Sequence, residues 1–255
     1  MTFAVIGKCP ETGAIGAGLA TFSVNAGRVS PVVSGLLPTF QESGAIVLPH
    51  SYANRQLAYD TFRLLEQGYN LEQLRAELPK TDPHFSYRQY SVLTVAGDLW
   101  VHTGDKAFEY AGHIVEGQWA VSGNALASSK TVEGMAASMR ESAGQPLGER
   151  IVRALEAGRD AGGQGDVRTG KHWGELSCAV FVADGKNPYP KVDLRVDYHP
   201  HAVTQLRRLY EYTQPLDHYY EGMQKHPDTF WDFIEERGVL DMPHFHADEV
   251  DIERD

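Results

Sequence analysis

A hydroxyl residue stands second in the chain, where Met1-Thr2 opens directly into the apolar run Phe3-Ala4-Val5-Ile6. Thr is small enough for methionine aminopeptidase to remove the Met before it. Removal leaves Thr2 with a free α-amine beside its own hydroxyl, a nucleophile and a base in one residue. An α-amine titrates at about 7.7–8.0, so near neutral pH it can take and return the hydroxyl proton. While Met1 stays attached, the Thr2 nitrogen is an amide and Thr2 is an ordinary strand hydroxyl. Acyl transfer also needs donors for a tetrahedral oxyanion. Ser122-Gly123-Asn124, at the end of an apolar run, offers an Asn amide and backbone N–H groups. The same Gly-Asn pair reads equally as a turn. Lys8 and Arg88 are candidate cations to keep the amine unprotonated. Thr21 falls opposite Thr2 across an expected hairpin, as a hydrogen-bond partner or as a plain cross-strand Thr pair.

Other residue types in suggestive positions carry less. His199 and His201 sit two apart, as do His244 and His246 near Asp248 and Glu249. Imidazole and carboxylate suit zinc, but no ligand spacing signature is present, so we read surface and tail histidines and expect no metal or other cofactor. His172 and Trp173 lie in a Gly-rich stretch and either line a pocket or cover a core edge. Asp193, Arg195 and Asp197 share one strand face. Arg195 could aim its fork at a substrate carboxylate. An internal ion-pair network holding the strand to its neighbours is the reading favoured.

The formal net charge of −11 argues against a nucleic-acid duplex or an anionic membrane as partner, and Arg207-Arg208 is the only adjacent basic pair. No run of about 18 apolar residues exists to span a membrane, and the N-terminus lacks the marks of a secretory signal. Cys9 and Cys178 are too few for a disulfide framework; they read as small buried hydrophobes and suit a cytoplasmic location. The 255 residues fit one large domain or two small ones.

Elements must position Thr2. Residues 3–7 and 15–22 read as a hairpin across Pro10-Glu11-Thr12-Gly13, with Gly16 and Gly18 marking either a bulge or a close backbone approach. Two short strands fit 31–48. Helices are expected over 53–66 and 71–78, the second with Asn70 as N-cap and Pro79 as its stop. Tyr90–Ala96 and Leu99–His102 form a hairpin across Gly97-Asp98, and Trp119–Val121 is a strand. Two amphipathic helices follow, through Val132, Met135 and Met139, then Leu147, Ile151 and Leu155. Residues 161–175 read as a structureless loop. Leu176–Ala183 reads as a central covered strand and Val192–Asp197 as an alternating one. Helices over 201–211, with Val203, Leu206 and Tyr210 inward, and 228–237 precede an acidic tail from Asp248 to Asp255. Strands, helices, strands, helices is not βαβ alternation; it fits antiparallel sheets with helices grouped outside.

The chain resembles the domain-of-unknown-function family 1028, classed with the N-terminal-nucleophile (Ntn) hydrolases. The resemblance covers residues 2–212. It is carried by Thr2 to Ile6, Pro10-Glu11-Thr12-Gly13, Gly16 to Thr21, Asp82-Pro83, Tyr87-Arg88-Gln89, Thr103-Gly104, Ala111-Gly112-His113, Gly123-Asn124, Ala161-Gly162-Gly163, Ser177 and Val192 to Pro200. It implies an α+β fold, a four-layer αββα sandwich of two antiparallel sheets over residues 1–212. Residues 213–255 are left as a helical, acidic extension. It also implies amide or related C–N bond hydrolysis in a small molecule; on the residue readings above, Thr2 is then the nucleophile, Gly123 and Asn124 hold the oxyanion, and Thr21, Arg88, His172 and Arg195 are the candidates toward substrate. The alternative is a non-catalytic binding or assembly module on the same scaffold. Aromatics in 210–220 and 230–233 suit either core cover or a homo-oligomer contact. This chain departs from the family pattern at Ala4, where Ser is usual, at Ala107, where many relatives have Cys, and at Phe22, where a basic residue is common. The extended stretch from Gln164 to Glu175 is a further departure.

Overall fold

The computed structural model describes residues 1–25, 32–36, 39–187 and 189–241. The chain forms two compact units, Met1–Leu206 and Arg207–Asp255. The first unit opens with β1 (Thr2–Lys8) and β2 (Ile15–Thr21), then β3 (Val32–Ser34), β4 (Ala45–His50), α1 (Gln56–Glu66) and α2 (Leu71–Thr81). Next come β5 (Gln89–Thr94), β6 (Leu99–Thr103), β7 (Gly112–Glu116), β8 (Trp119–Asn124), α3 (Lys130–Glu141) and α4 (Leu147–Asp160). Strands β9 (Gln164–Asp166), β10 (Lys171–Trp173), β11 (Ser177–Ala183) and β12 (Val192–Val196) complete it. Helix α5 (Ala202–Thr213) runs across the division, and α6 (Leu216–Lys225) and α7 (Phe230–Glu235) belong to the second unit.

The first unit is mixed α/β with antiparallel sheets. The larger sheet runs β12-β11-β2-β1-β8-β7 and the smaller β3-β4-β5-β6. Ala4, Ile6, Ile15, Ala17, Leu19, Ala120, Phe181 and Ala183 of the larger sheet share one apolar core with Ile46, Leu48 and Leu93 of the smaller. The reverse face of the smaller sheet packs Val47, Tyr90, Val92 and Trp100 against Leu57, Phe62, Leu65, Leu74 and Leu78 of α1 and α2. Helices α3 and α4 cover the reverse face of the larger sheet, and there Gly18 decides the spacing. A Cβ on it would lie 2.4 Å from Ile151 Cγ2. The glycines of β2 therefore mark close approach of a helix, in a strand paired without a bulge on both sides. The second unit has its own small core of Phe233, Ile234 and Val239, with Leu216, Tyr219 and Phe230 packed on it.

Several expectations change. Helix α2 begins at the expected cap, where Asn70 and Gln73 form a reciprocal capping box, but it runs through Pro79 to Thr81. A proline so near the end removes one bond, to the carbonyl of exposed Arg75, which solvent can satisfy. Residues 161–175 are not structureless. Strands β9 and β10 pair Gln164 with Trp173 and Asp166 with Lys171, and the Asp166 carboxylate accepts the Arg168 N–H at 2.9 Å to close the turn. Strand β7 and helix α6 had no expected counterpart. The acidic tail and the His244–Glu249 group lie outside the described residues. Among the described residues no helix is long and apolar enough to cross a membrane, and no cluster of three or more His, Cys, Asp or Glu forms.

Candidate functional site

Side chains on one face of a strand recur every second residue. The apolar face between the sheets is set by Ala4 and Ile6, by Ala17 and Leu19, by Ala120, by Ile46 and Leu48, and by Leu93. Continuing each strand by that period to the same end of the two sheets gives Thr2, Thr21, Asn124, His50 and Gln89. The apolar layer thus turns polar at this end.

Register makes the row continuous. Thr2 pairs with Thr21 on one side and with Asn124 on the other. Thr21 pairs in turn with Ser177, and His50 pairs with Gln89 in the smaller sheet. Gln89 then ties the sheets together. Its Nε2 donates to Thr103 Oγ1 at 2.9 Å, Gly112 O at 3.1 Å and Gly123 O at 2.8 Å, while its Oε1 accepts from Asn124 Nδ2 at 3.1 Å. The acceptors around Nε2 fix which way the Gln89 amide faces, and that fixes Asn124. Asn124 Oδ1 is left buried with no hydrogen-bond partner in the protein.

A cleft of ≈ 470 Å³ opens onto this end, lined by Met1, Thr2, Thr21, Ser23, His50, Ser51, Tyr52 and Arg55 among others. The Met1 carbonyl accepts from Thr2 Oγ1 at 2.6 Å and from Thr21 Oγ1 at 2.5 Å, and the two hydroxyls are 3.2 Å apart. Burial lowers the Met1 α-amine from its ordinary 8.0 to about 6. A terminal amine at this place is therefore largely neutral at pH 7. His50 is buried in the cleft wall, and neither ring nitrogen has a partner within the protein. Burial first, and then the charge of the Met1 amine, hold its imidazole down at about 3.

The backbone here is strained. Asn25, Ser51, Tyr52 and Ala125 have φ of +57°, +42°, +46° and +49°. These are left-handed values that non-glycine residues adopt rarely. The first three line the cleft and the fourth follows Asn124. Arg88 braces the Tyr52 turn. Its Nη1 donates to Tyr52 O, and its Nε and Nη2 donate to Asp82 at 2.8 and 3.3 Å. Asn54 Nδ2 adds a bond to Asp82 at 3.0 Å. Burial alone would raise the Asp82 carboxyl, but these bonds, the His84 N–H and the Arg88 charge hold it at about 2.

The structure brings Thr2, Thr21 and Asn124 together. Gly123 lies beside them within a strand paired on both edges, with Phe3 and Gly112. Arg88 is spent on Asp82 and the Tyr52 turn. Lys8, at the far end of β1, donates to Val95 O at 2.5 Å. His172 is exposed, with Nδ1 3.2 Å from Gly162 O, and does not line the cleft. Arg195 lies three strands from β1 and pairs at 3.0 Å with exposed Asp197, two residues on in its own chain segment, rather than with a neighbouring strand. Sequence reasoning missed His50 and Gln89. The signal was a polar residue two positions beyond Leu48 and two before Ser91, usable only once the inward face is known.

The family of unknown function DUF1028 matches residues 2–206. The chain belongs to this family. Among solved structures, protein SPO2555 from Silicibacter pomeroyi, also of DUF1028, is 25% identical, with a TM-score of 0.68 over 83% of this chain and 85% of that one. No curated protein matches the chain.

Proposed function

We propose that this DUF1028 protein is an N-terminal-nucleophile hydrolase of the αββα type, cleaving an amide or related C–N bond in a small molecule once Met1 is removed. One observation carries the reading: Thr2 begins a central strand, faces Thr21 and Asn124 in register, and opens into a cleft that desolvates a terminal amine. Loss of Met1 removes the carbonyl that both Thr hydroxyls now engage. The freed Thr2 amine then has a buried acceptor without a partner, Asn124 Oδ1, on the strand directly across. This gives Asn124 the task of orienting the amine, because its Nδ2 is already bonded to Gln89.

Thr2 Oγ attacks the substrate carbonyl while its proton passes to the α-amine. The C–N bond breaks, the leaving nitrogen takes that proton, and an ester to Thr2 remains. Water adds to the ester by the same base, releasing the acid and restoring Thr2.

Two measurements test this. The intact mass of untagged protein shows whether Met1 is removed, and a β-lactone probe followed by peptide mapping shows whether Thr2 is acylated. Loss of Met1 and an adduct on Thr2 that is absent from T2A are expected. Full retention of Met1, or labelling indifferent to T2A, overturns the mechanism and favours a binding module whose cleft is closed by the Met1 carbonyl.

A further inference from the structure

We propose that His50 touches the substrate, its imidazole N–H donating a hydrogen bond to the oxygen of the carbonyl that Thr2 attacks. The inference rests on the N-terminal-nucleophile reading and adds to it the oxyanion donor.

The other candidate donors are already engaged. Gly123 belongs to a strand paired on both edges and its carbonyl accepts from Gln89. Asn124 Nδ2 donates to Gln89, and what Asn124 has to spare is an acceptor oxygen, which an oxyanion repels. Arg88 is held by Asp82 and the Tyr52 carbonyl. His50 differs from all three. It is only 4% exposed, it lines the cleft beside Met1, Thr2 and Thr21, and both of its nitrogens lack a partner in the protein. A buried imidazole left so costs about 1–3 kcal/mol. Such a cost persists most readily where a bound ligand supplies the missing bond.

Placement is equally specific. His50 is the last residue of β4 and shares the inward face of Ile46 and Leu48. That face looks across at the Thr2 end of β1. Left-handed Ser51 and Tyr52 follow at once and turn the chain away, so no residue after His50 continues the strand over it. Pairing with Gln89 anchors the backbone, and Gln89 reaches the strand that pairs with Thr2. The imidazole is therefore held on the rigid end of a sheet rather than on a loop. A neutral imidazole carries one N–H donor and no charge, and acts as an electrophile toward a developing oxyanion without first losing a proton.

The test measures the second-order rate of Thr2 acylation by the β-lactone probe in wild type, H50N, H50Q and H50A, with thermal melts to confirm folding. H50A should fall by about 100- to 1,000-fold, the usual effect of removing one oxyanion donor. One of H50N and H50Q should recover part of the rate, showing which ring nitrogen donates. Equal rates in wild type and folded H50A overturn this inference and leave the Thr2 mechanism standing. An unlabelled wild type overturns both. If the variants do not fold, ¹⁵N-histidine spectra of wild type before and after acylation decide the matter. A His50 ring-nitrogen shift on adduct formation is expected, and an unmoved resonance overturns the contact.

Discussion

Gln89 should prove to be the most consequential uncharged side chain in the first unit. It is fully buried; its two Nε2 hydrogens are shared among three acceptors, Thr103 Oγ1, Gly112 O and Gly123 O, and its Oε1 accepts from Asn124. Leucine at this position keeps a similar volume and removes every one of these bonds. At a net of about 1 kcal/mol per neutral bond, with Asn124 Nδ2 left unpaired in the interior, Q89L should cost about 3–5 kcal/mol. Thr103 loses less, because its hydroxyl keeps His113 Nδ1 at 2.8 Å. Urea unfolding of the full chain measures the loss as a shift of midpoint at constant slope. The double variant sharpens the test. In Q89L/N124L no amide remains stranded at this contact, so the two losses should fall short of additive by about 1–2 kcal/mol. Q89E should be worse than Q89L near neutral pH, since a carboxylate there faces the carbonyls of Gly112 and Gly123. A Q89L loss under about 1 kcal/mol, or strict additivity with N124L, would refute the claim that this amide joins the sheets.

Three further outcomes follow from the same geometry. The His50 imidazole is depressed to about 3, so the folded chain binds fewer protons than the unfolded one between that value and 6.5; stability is complete above 6.5 and should fall by up to about 1.4 kcal/mol per pH unit below it, and H50N should flatten that slope in acid titrations of unfolding. Breaking the Arg88–Asp82 pair with R88A should cost about 3–5 kcal/mol at pH 7, with R88K a poor rescue because it cannot hold both Asp82 and the Tyr52 carbonyl; the loss should shrink as pH falls from 3.8 toward 2, where the Asp82 carboxylate is titrated. G18A should destabilise by about 1–3 kcal/mol through the clash with Ile151 Cγ2, and it should cost less in an I151A background, which lacks that methyl, in the same unfolding assay.

What was legible in the chain follows the range of the interaction that decides it. The Thr2–Thr21 pairing could be read because a tight turn at Pro10–Gly13 fixes the register of the strands on either side. The helices other than α6 declared themselves by period, and Asn70 by its cap. The short hairpin of β9 and β10 was hidden by its glycines, which look like loop composition although Gly170, at φ +66°, is what the turn requires. Strand β7 was hidden differently. Gly117-Gln118 is a two-residue link to β8, with Gly117 at φ +55°, and that hairpin signal was present in the sequence.

The site divides along the same line. Its half on the larger sheet, Thr2, Thr21 and Asn124, comes from adjacent strands and could be proposed from residue types. Its half on the smaller sheet, His50 and Gln89, depends on which face of β4 and β5 looks inward, and both strands are buried on both faces. A strand covered on both sides shows no alternation, so parity cannot be read from it. The Arg88 expectation failed for a related reason. Its residue type marks it as a cation but does not place it, and only the fold shows that Asp82 and Tyr52 occupy its donors. Residue type sets what a side chain can do. Whether it remains free to do so is decided by partners that the chain brings from a distance, and at this site the buried groups without a partner are the Asn124 oxygen and the two nitrogens of the His50 ring.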